Sequence, residues 1–323
     1  MKVGIIGAGR IAEKMATTIN QLDGVCNYAI ASRELDKAVA FQEKFGVQKA
    51  YGCYEDLLKD DEIDLVYIAT VHSTHYQIML RCLQYNKPVL CEKILTTSLK
   101  DTVDIYQKFE EKGLFVAEAL WTSFLPSRQI INDLLYKEKV VGKIENMESW
   151  FRIPIQHVER IKRKDLGGGA VMDLGVYPIS FTFRTLGFDY KSCDIHGVEC
   201  NEYGADLKEI IEFEYDNGVK ATCVVETTSS YPLTVTIRGE KGKVVVNNVN
   251  CPNKIEVFDN DNELIKEIDC APALGGFEYQ VLACQKAIAQ GKIECLEWTH
   301  KDSIAVSEVV EKTLKIAESL AEN

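Results

Sequence analysis

The chain carries little positive charge, and this shortage excludes one large class of partners. Its 323 residues include 37 Lys and Arg against 49 Asp and Glu, a formal net charge of -12. Proteins that bind a nucleic-acid backbone need clustered positive charge, and the densest basic segment here is the short run 160–164. We therefore expect no nucleic-acid partner.

Long apolar runs, a secretory leader and paired cysteines are also missing. No stretch reaches the roughly 18 apolar residues of a membrane-spanning helix, and the first residues enter a strand-like segment without a signal-peptide core or cleavage site. The 11 cysteines form no C-x-x-C pair, and several, such as Cys91 and Cys223, lie in apolar runs. These patterns predict a cytoplasmic protein with no membrane partner, whose cysteines are reduced core residues, not zinc ligands or disulfides.

The most informative motif lies at the start of the chain. A short apolar run passes into Gly7-x-Gly9-x-x-Ala12 and then into a helical pattern, which is the dinucleotide fingerprint in its required strand, turn and helix context. Gly7 makes the turn, Gly9 leaves room for a pyrophosphate, and Ala12 lets the helix pack close to the strand. The helix start, at Arg10 and Ile11, would then face the phosphates.

Strand and helix patterns alternate from residue 1 to about residue 120, and the near-continuous apolar strands indicate a parallel sheet covered on both faces. Beyond this point, period-two alternation and turn signals such as 216–218 indicate antiparallel hairpins. The sequence predicts an α/β fold: a doubly wound Rossmann domain over residues 1–120, and an α+β domain over residues 121–323 with an open, mainly antiparallel sheet and helices on one side.

Three local expectations follow from the same patterns. The last strand of the first domain is predicted at 114–116, and one continuous helix is predicted at 170–186. In the second sheet, Thr234 and Thr236 alternate with apolar residues, so one face is not strongly apolar. Because large open sheets often pair, we expect a homodimer or homotetramer formed through this sheet.

The end of the second predicted strand bears on the choice of cofactor. NAD sites usually place an acid there to bond the ribose 2′-hydroxyl, but here the strand ends in Ser32 and Arg33. Ser32 can donate to a 2′-phosphate, and Arg33 can cover the adenine and contact that phosphate. The alternative is that Arg33 only opens a helix in solvent, and Glu34 next to it keeps NAD use open. The expected cofactor is NADP, with NAD possible.

Polar residues follow two further strands at the edge where a parallel sheet binds its ligands. Thr70, His72 and His75 come directly after the fourth predicted strand, and Glu92 and Lys93 end the next one. Charges at the end of a buried strand are costly to leave unpaired. The Glu92-Lys93 pair is therefore either a structural ion pair or part of a site.

A third patch is the glycine-rich segment 167–178. It contains Asp173 and Tyr177, which are four residues apart, so a helix would present both side chains on one face.

Together these segments resemble the glucose-fructose oxidoreductase, inositol dehydrogenase and MocA family, in the branch that includes dimeric dihydrodiol dehydrogenase. The resemblance extends over nearly the whole chain. It rests on the glycine motif, Ala69-Thr70 with His75, Glu92-Lys93, the stretch 118–126 and the segment 167–178.

The resemblance implies hydride transfer between a nicotinamide and a secondary alcohol or carbonyl of a sugar, cyclic polyol or trans-dihydrodiol, without a metal. Lys93 would hydrogen-bond the reacting oxygen, and its charge would lower the pKa of Tyr177, the acid/base. An unperturbed tyrosine titrates near about 10, so such help is needed close to neutral pH. Asp173 would hold a neighbouring substrate hydroxyl, and Trp121 would form a wall of the pocket.

Other implied contacts are less specific. Thr70, His72, His75 and Glu92 would contact the cofactor, Arg152 and Arg160 would reach the pocket mouth, and the loops at Trp121, 151–164 and Tyr231 would shape the pocket. Each residue also has a structural alternative: Tyr177 and Trp121 could pack in a core, and His72 could cap a helix.

Ile94 departs from the family, which commonly has Pro after the Glu-Lys pair. This difference predicts an altered aim or rigidity of Lys93. A competing functional hypothesis is a dinucleotide-sensing regulatory protein that has lost turnover, although such a protein would be expected to lose Lys93 or Tyr177.

Overall fold

The computed structural model describes residues 1–230 and 233–321, so Tyr231 lies outside the described residues. Packing divides the chain into two units. The first consists of Met1–Phe124 and Phe277–Ile304, and the second of Leu125–Gly276 and the residues from Ala305 onward. The domain division at residue 120 stays a prediction, and the packing adds a late segment of the chain to the N-terminal unit.

The first unit is built on a parallel sheet of six strands. These are β1 (Lys2–Ile6), β2 (Cys26–Ala31), β3 (Lys49–Tyr51), β4 (Leu65–Ile68), β5 (Val89–Glu92) and β6 (Val116–Ala119). Their order is β3-β2-β1-β4-β5-β6, and every neighbouring pair is parallel. The strand order reverses between β1 and β4, and doubly wound sheets bind ligands beyond the carboxyl ends of the strands at such a point.

Helices cover this sheet, which explains why its strands are almost continuously apolar. They are α1 (Arg10–Ile19), α2 (Leu35–Phe45), α3 (Tyr54–Leu58), α4 (His75–Gln84) and α5 (Leu99–Glu111). The core between sheet and helices includes Ile6, Val66, Met79, Phe109 and Val116, all at most 1% exposed.

The predicted strand at 114–116 is wrong by two residues at its start and three at its end, because β6 covers Val116–Ala119. The amide of Leu114 donates to the carbonyl of Phe109 at 2.9 Å, so Leu114 belongs to the turn that closes α5. The sequence pattern missed the true strand because its third residue is the charged Glu118.

The second unit contains an open sheet of eight strands. These are β7 (Ile144–Arg152), β8 (Tyr190–Cys200), β9 (Asp206–Tyr215), β10 (Lys220–Glu226), β11 (Thr234–Gly239), β12 (Gly242–Asn247), β13 (Lys254–Phe258) and β14 (Leu264–Asp269). Their order is β14-β13-β12-β11-β7-β10-β9-β8, and only β7 and β10 pair in parallel. The predicted fold class, a Rossmann domain followed by a mainly antiparallel open sheet, is confirmed.

Short and long helices complete the chain. They are α6 (Ser127–Asn132), α7 (Glu159–Lys162), α8 (Val176–Leu186), α9 (Phe277–Ala289) and α10 (His300–Ala321). None of the helices within residues 1–230 and 233–321 is both long enough and apolar enough to cross a membrane.

The helix predicted at 170–186 is not one regular helix. Val171–Gly175 form a single π-helical turn, which leads into α8. Sequence periodicity cannot detect this change, because the apolar pattern continues through it. Single π-turns of this kind occur frequently at functional sites, and this one contains Asp173.

Candidate active site

The glycine turn after β1 has the geometry that a dinucleotide requires. Gly7 has a φ of 102°, and a Cβ at this position would lie 2.5 Å from the carbonyl oxygen of Ala69. Gly9 is the extended N-cap of α1, and a Cβ there would meet nothing within 4 Å. Space therefore remains beside the first amides of α1, at Arg10 and Ile11, and this arrangement fits a pyrophosphate.

The end of β2 places the residues expected to bind the adenosine ribose. Ser32 is 9% exposed, and its Oγ accepts a hydrogen bond from the amide of Glu34 at 3.4 Å. Arg33 and Glu34 are exposed. The Glu34 carboxylate lies 2.6 Å from Nζ of Lys37, so the acid near this strand end already has a cationic partner.

Glu92 is a buried acid at the end of β5, directly before Lys93. Its Oε1 accepts a hydrogen bond from the hydroxyl of Tyr67, which is fully buried on β4. Burial raises the pKa of Glu92 to about 7, although the Tyr67 hydrogen bond and the Lys93 charge act in the opposite direction. The carboxyl group can therefore change its charge near neutral pH.

His75 connects the two loops that follow β4 and β5. Its Nδ1 lies 3.0 Å from the carbonyl oxygen of Ile94, and its Nε2 lies 3.2 Å from that of Thr70. Burial lowers the pKa of the His75 imidazole, so the ring is neutral and donates to only one of these carbonyls at a time. Thr70 is held further by the hydroxyl of Thr74, at 2.8 Å.

Glu118 fixes the same loop from the other side. Its Oε1 accepts from the amide of Leu95 at 2.8 Å, while its Oε2 accepts from the Trp298 indole at 2.9 Å and the Ser303 hydroxyl at 2.6 Å. Lys93 thus lies just before a backbone segment that His75 holds through Ile94 and Glu118 holds through Leu95. The Lys93–Ile94 peptide bond is cis.

Asp173 and Arg160, two predicted substrate residues, lie together in the second unit. Nη1 of Arg160, on α7, lies 2.9 Å from Oδ1 of Asp173, which is 5% exposed. The turn bearing Arg160 packs against a glycine, because a Cβ at Gly168 would lie 2.2 Å from the carbonyl oxygen of Arg160. The glycine-rich segment therefore allows the close approach that places the guanidinium on the carboxylate.

Tyr177 lies in the first turn of α8. It is 8% exposed, and its ring meets that of Phe151 edge to face, with centroids 5.2 Å apart.

Arg152, the residue after Phe151, forms an ion pair with Glu226, with Nε 2.6 Å from Oε2. Burial raises the pKa of Glu226, but hydrogen bonds from Thr228, Ser229 and Arg152 outweigh it and lower the pKa.

Trp121 and His72 are both packed in the first unit. The Trp121 ring lies 4.9 Å from that of Phe277 between centroids, and Nζ of Lys14 lies 5.1 Å from the indole centroid. His72 is 8% exposed, and its ring centroid lies 5.7 Å from that of His75. The substrate role of Trp121 and the cofactor role of His72 stay predictions.

Sequence reasoning assigned no role to Tyr67, Glu118 or Lys37. A carboxylate inside a buried parallel strand is a detectable signal, because an ionisable group is rarely buried without partners. Glu118 did not give this signal, because the predicted strand ended at residue 116. Tyr67 and Lys37 gave none, since a buried tyrosine and an exposed lysine are ordinary features of a strand and a helix.

The fold and the glycine turn define a Rossmann oxidoreductase whose second domain is an open sheet. Residues 1–120 match an oxidoreductase family with an NAD-binding Rossmann fold, and residues 134–245 match the GFO/IDH/MocA C-terminal domain. The chain belongs to this family, which confirms the resemblance seen in the sequence. It is therefore an oxidoreductase that binds a nicotinamide dinucleotide.

Individual relatives agree with this assignment. The trans-1,2-dihydrobenzene-1,2-diol dehydrogenase of Mus musculus is 29% identical over 326 residues, covering 98% of this chain and 96% of that protein. The protein of the same name from Xenopus laevis is 33% identical over 248 residues, covering 76% and 74%. A 3-ketoreductase from Actinomadura kijaniata, solved with NADP and TDP-benzene, is 26% identical over 96% of each chain with a TM-score of 0.85.

Proposed function

We propose that the protein is an NADP-preferring dehydrogenase or reductase that acts on a secondary alcohol or carbonyl of a sugar, a cyclic polyol or a trans-dihydrodiol. The observation that carries the proposal is the position of Lys93 at the ligand-binding edge of the parallel sheet. There it follows the buried acid Glu92, and the backbone after it is anchored by His75 and Glu118. The substrate class is supported by the names of the relatives, which are a dihydrodiol dehydrogenase and a 3-ketoreductase.

The preference for NADP is argued from the end of β2. NAD sites bond the ribose 2′-hydroxyl with an acid at this position, whereas here Ser32 and Arg33 take its place. Glu34 is the nearest acid, and Lys37 at 2.6 Å offsets its charge. A 2′-phosphate would thus meet Arg33 and Lys37 without an uncompensated carboxylate. The ketoreductase relative was solved with NADP.

The remaining residues have distinct roles in this proposal. A bound nicotinamide would supply the hydride chemistry, exchanged with a carbinol or carbonyl carbon of the substrate. Tyr177 exchanges the proton at the reacting oxygen, and Lys93 donates a hydrogen bond to that oxygen. Asp173 accepts from a neighbouring substrate hydroxyl, while Arg160 keeps its carboxylate oriented.

The test compares turnover with cofactor binding in two variants. Lys93→Met and Tyr177→Phe should each lower kcat by about a hundredfold or more, because each loses acid/base assistance. Substrates would be drawn from sugars, inositols and dihydrodiols, with NADPH binding followed by nicotinamide fluorescence. Both variants should bind NADPH within a few-fold of the unchanged protein.

Matched controls are Lys100→Met and Tyr203→Phe, which remove the same groups from exposed positions. Both controls should keep full turnover. Unchanged turnover in Lys93→Met or Tyr177→Phe would remove that residue from the reaction. Tighter binding of NADH than of NADPH would overturn the cofactor preference.

A further inference from the structure

Two acidic side chains are buried side by side in the second unit. Asp206 is 1% exposed and Glu209 is fully buried, although both belong to strand β9. Residues three apart on a regular strand face opposite sides. Here the pairing with β8 shifts so that Leu207 is an extra residue in β9, and this bulge turns both carboxyl groups to the same face.

These carboxyl groups interact with each other and with the start of the helical segment that carries Asp173. Oδ2 of Asp206 accepts from the amide of Val171 at 2.6 Å. A Cβ at Gly169 would lie 2.1 Å from Oδ1 of Asp206, and one at Gly175 would lie 3.7 Å from Oε1 of Glu209. The pair therefore contacts both ends of the π-turn, Val171–Gly175.

Among the residues that the structure describes, no cation compensates the charge of the pair. In the part of the chain that the structure describes, neither Asp206 nor Glu209 forms an ion pair. Oδ1 of Asp206 and both oxygens of Glu209 have no other hydrogen-bond donor there. Two adjacent buried carboxyl groups cannot both ionise without a large cost, so they hold one proton between them.

The hydrogen bond from the Val171 amide to Asp206 favours Glu209 as the carrier of this proton. Burial and then the neighbouring Asp206 raise the pKa of Glu209 well above its usual value. At Asp206, burial also raises the pKa, but hydrogen bonds from the amides of Val171 and Ala170 oppose that rise. Asp206 is thus the carboxylate, and its negative charge faces the start of a helical segment, where it is favourable.

We propose that Asp206 and Glu209 are positioning residues for Asp173 and Tyr177. The Asp206 carboxylate holds the amides at the start of the π-turn, and the neutral Glu209 acid lies under its last residue and holds Asp206. The bulge in β9 and the missing side chain of Gly169 make room for this contact. The proposal rests on the proposed roles of Asp173 and Tyr177, so its first test needs no turnover.

The first test is hydrogen exchange of the peptide covering 169–177. Asp206→Ala removes the acceptor of the amides, so exchange in this peptide should rise by at least about tenfold. Asp206→Asn keeps an acceptor oxygen and should restore most of the protection. Glu212→Gln, which removes an exposed acid from the same strand, should leave exchange unchanged. Equal protection in Asp206→Ala and the unchanged protein would overturn the proposal.

The second test separates position from binding. Asp206→Ala should lower kcat by about ten- to a hundredfold, since a small displacement of Tyr177 is enough for such a loss. Its affinity for NADPH should not change, because the glycine turn belongs to the other unit. Asp206→Asn should recover most of kcat. If Asp206→Ala increases exchange but leaves kcat unchanged, the pair holds the helix without positioning the reacting groups, and the proposal fails.

The third test covers the case in which Asp206→Ala does not fold. Glu209→Gln replaces the neutral acid by an amide that still donates to Asp206. Glu209 keeps its proton in the native protein but ionises in the unfolded chain. The contribution of Glu209 to the free energy of unfolding is therefore complete below about pH 4.5 and falls as pH rises. The variant should therefore become more stable relative to the unchanged protein between about pH 4.5 and pH 8.

Neighbouring titratable groups do not produce the same dependence of stability on pH. Cys200 of β8 faces the pair, and burial raises the pKa of its thiol, so it stays neutral in this range. On the helical segment, the charge of Asp173 is paired with Arg160. A stability difference that does not change with pH would show that Glu209 is not the proton carrier. Loss of turnover in the unchanged protein on every substrate would instead reject the proposed function and leave the exchange and stability results intact.

Discussion

Glu92, in the N-terminal unit, is a residue whose charge changes with pH near neutrality. Burial raises its pKa to about 7, above the value of an unfolded glutamate. Its contribution to the free energy of unfolding is therefore complete below the unfolded pKa and is lost as pH rises through about 7. Glu92→Gln should gain stability relative to the unchanged protein over this range, by about 3 kcal/mol.

Denaturant unfolding at a series of pH values measures this gain. Glu55→Gln, which removes an exposed acid from α3, is the matched control and should show no trend. A flat difference between Glu92→Gln and the unchanged protein would mean that Glu92 is ionised at all these pH values, held by Tyr67 and Lys93.

Substitutions of the two glycines of the fingerprint should have different effects, one on stability and the other on NADPH binding. Gly7→Ala places a Cβ 2.5 Å from a backbone oxygen at a φ of 102°, so it should lower the free energy of unfolding by about 1 kcal/mol or more. Gly9→Ala meets no protein atom within 4 Å, so it should leave stability unchanged but weaken NADPH binding. Thermal unfolding and fluorescence titration of both variants test this contrast. Equal NADPH affinity in Gly9→Ala and the unchanged protein would place the pyrophosphate elsewhere.

Among the elements, the loop after β5 owes its position to groups distant in sequence. Glu118 on β6 binds the amide of Leu95 and also receives the Trp298 and Ser303 side chains. Burial raises the pKa of Glu118, and these hydrogen bonds oppose the rise. Glu118→Ala leaves three buried donors without an acceptor, so it should lower stability by about 2 to 4 kcal/mol and kcat by about tenfold or more.

Glu118→Gln is the variant to compare with Glu118→Ala, because its side-chain amide keeps one acceptor oxygen for Leu95 or Trp298. It should retain more kcat than Glu118→Ala, with NADPH affinity similar in both. Steady-state kinetics with separate kcat and KM values measure the effect. If both variants lose stability but keep kcat, Glu118 stabilises the fold without aiming Lys93.

The sequence was sufficient where strands follow a continuous apolar run and insufficient where that pattern is absent. The near-continuous apolar strands expected within residues 1–120 include β4, whose four residues are all buried. Strands β8 and β14 lie at the edges of the second sheet, and because β14 buries no residue, its sequence has no apolar period to detect. The site shows the same division. The glycine turn and Lys93 were visible in local patterns, whereas the contacts of Glu118 join residues about 180 positions apart.

At the scale of the whole molecule, the open sheet leaves one face to solvent. Val235 and Ile237 are fully buried, while Thr234 and Thr236 on the opposite face are only half-buried. This face contains a concavity of about 920 Å³ lined by polar side chains of β11 to β14, including Lys254 and its neighbours. A second copy of the sheet could cover such a surface through both apolar and charged contacts.

We therefore expect the protein to form a dimer or tetramer through this face. Size-exclusion chromatography with light scattering should give two or four times the chain mass of 36.3 kDa. Val245→Arg places a charge at a half-buried position on this face, so it should shift the population to monomer. Val39→Arg, an exposed position on α2, should leave the mass unchanged. A monomer at every concentration would contradict the expectation. A Val245→Arg protein that stays oligomeric would place the contact on another surface.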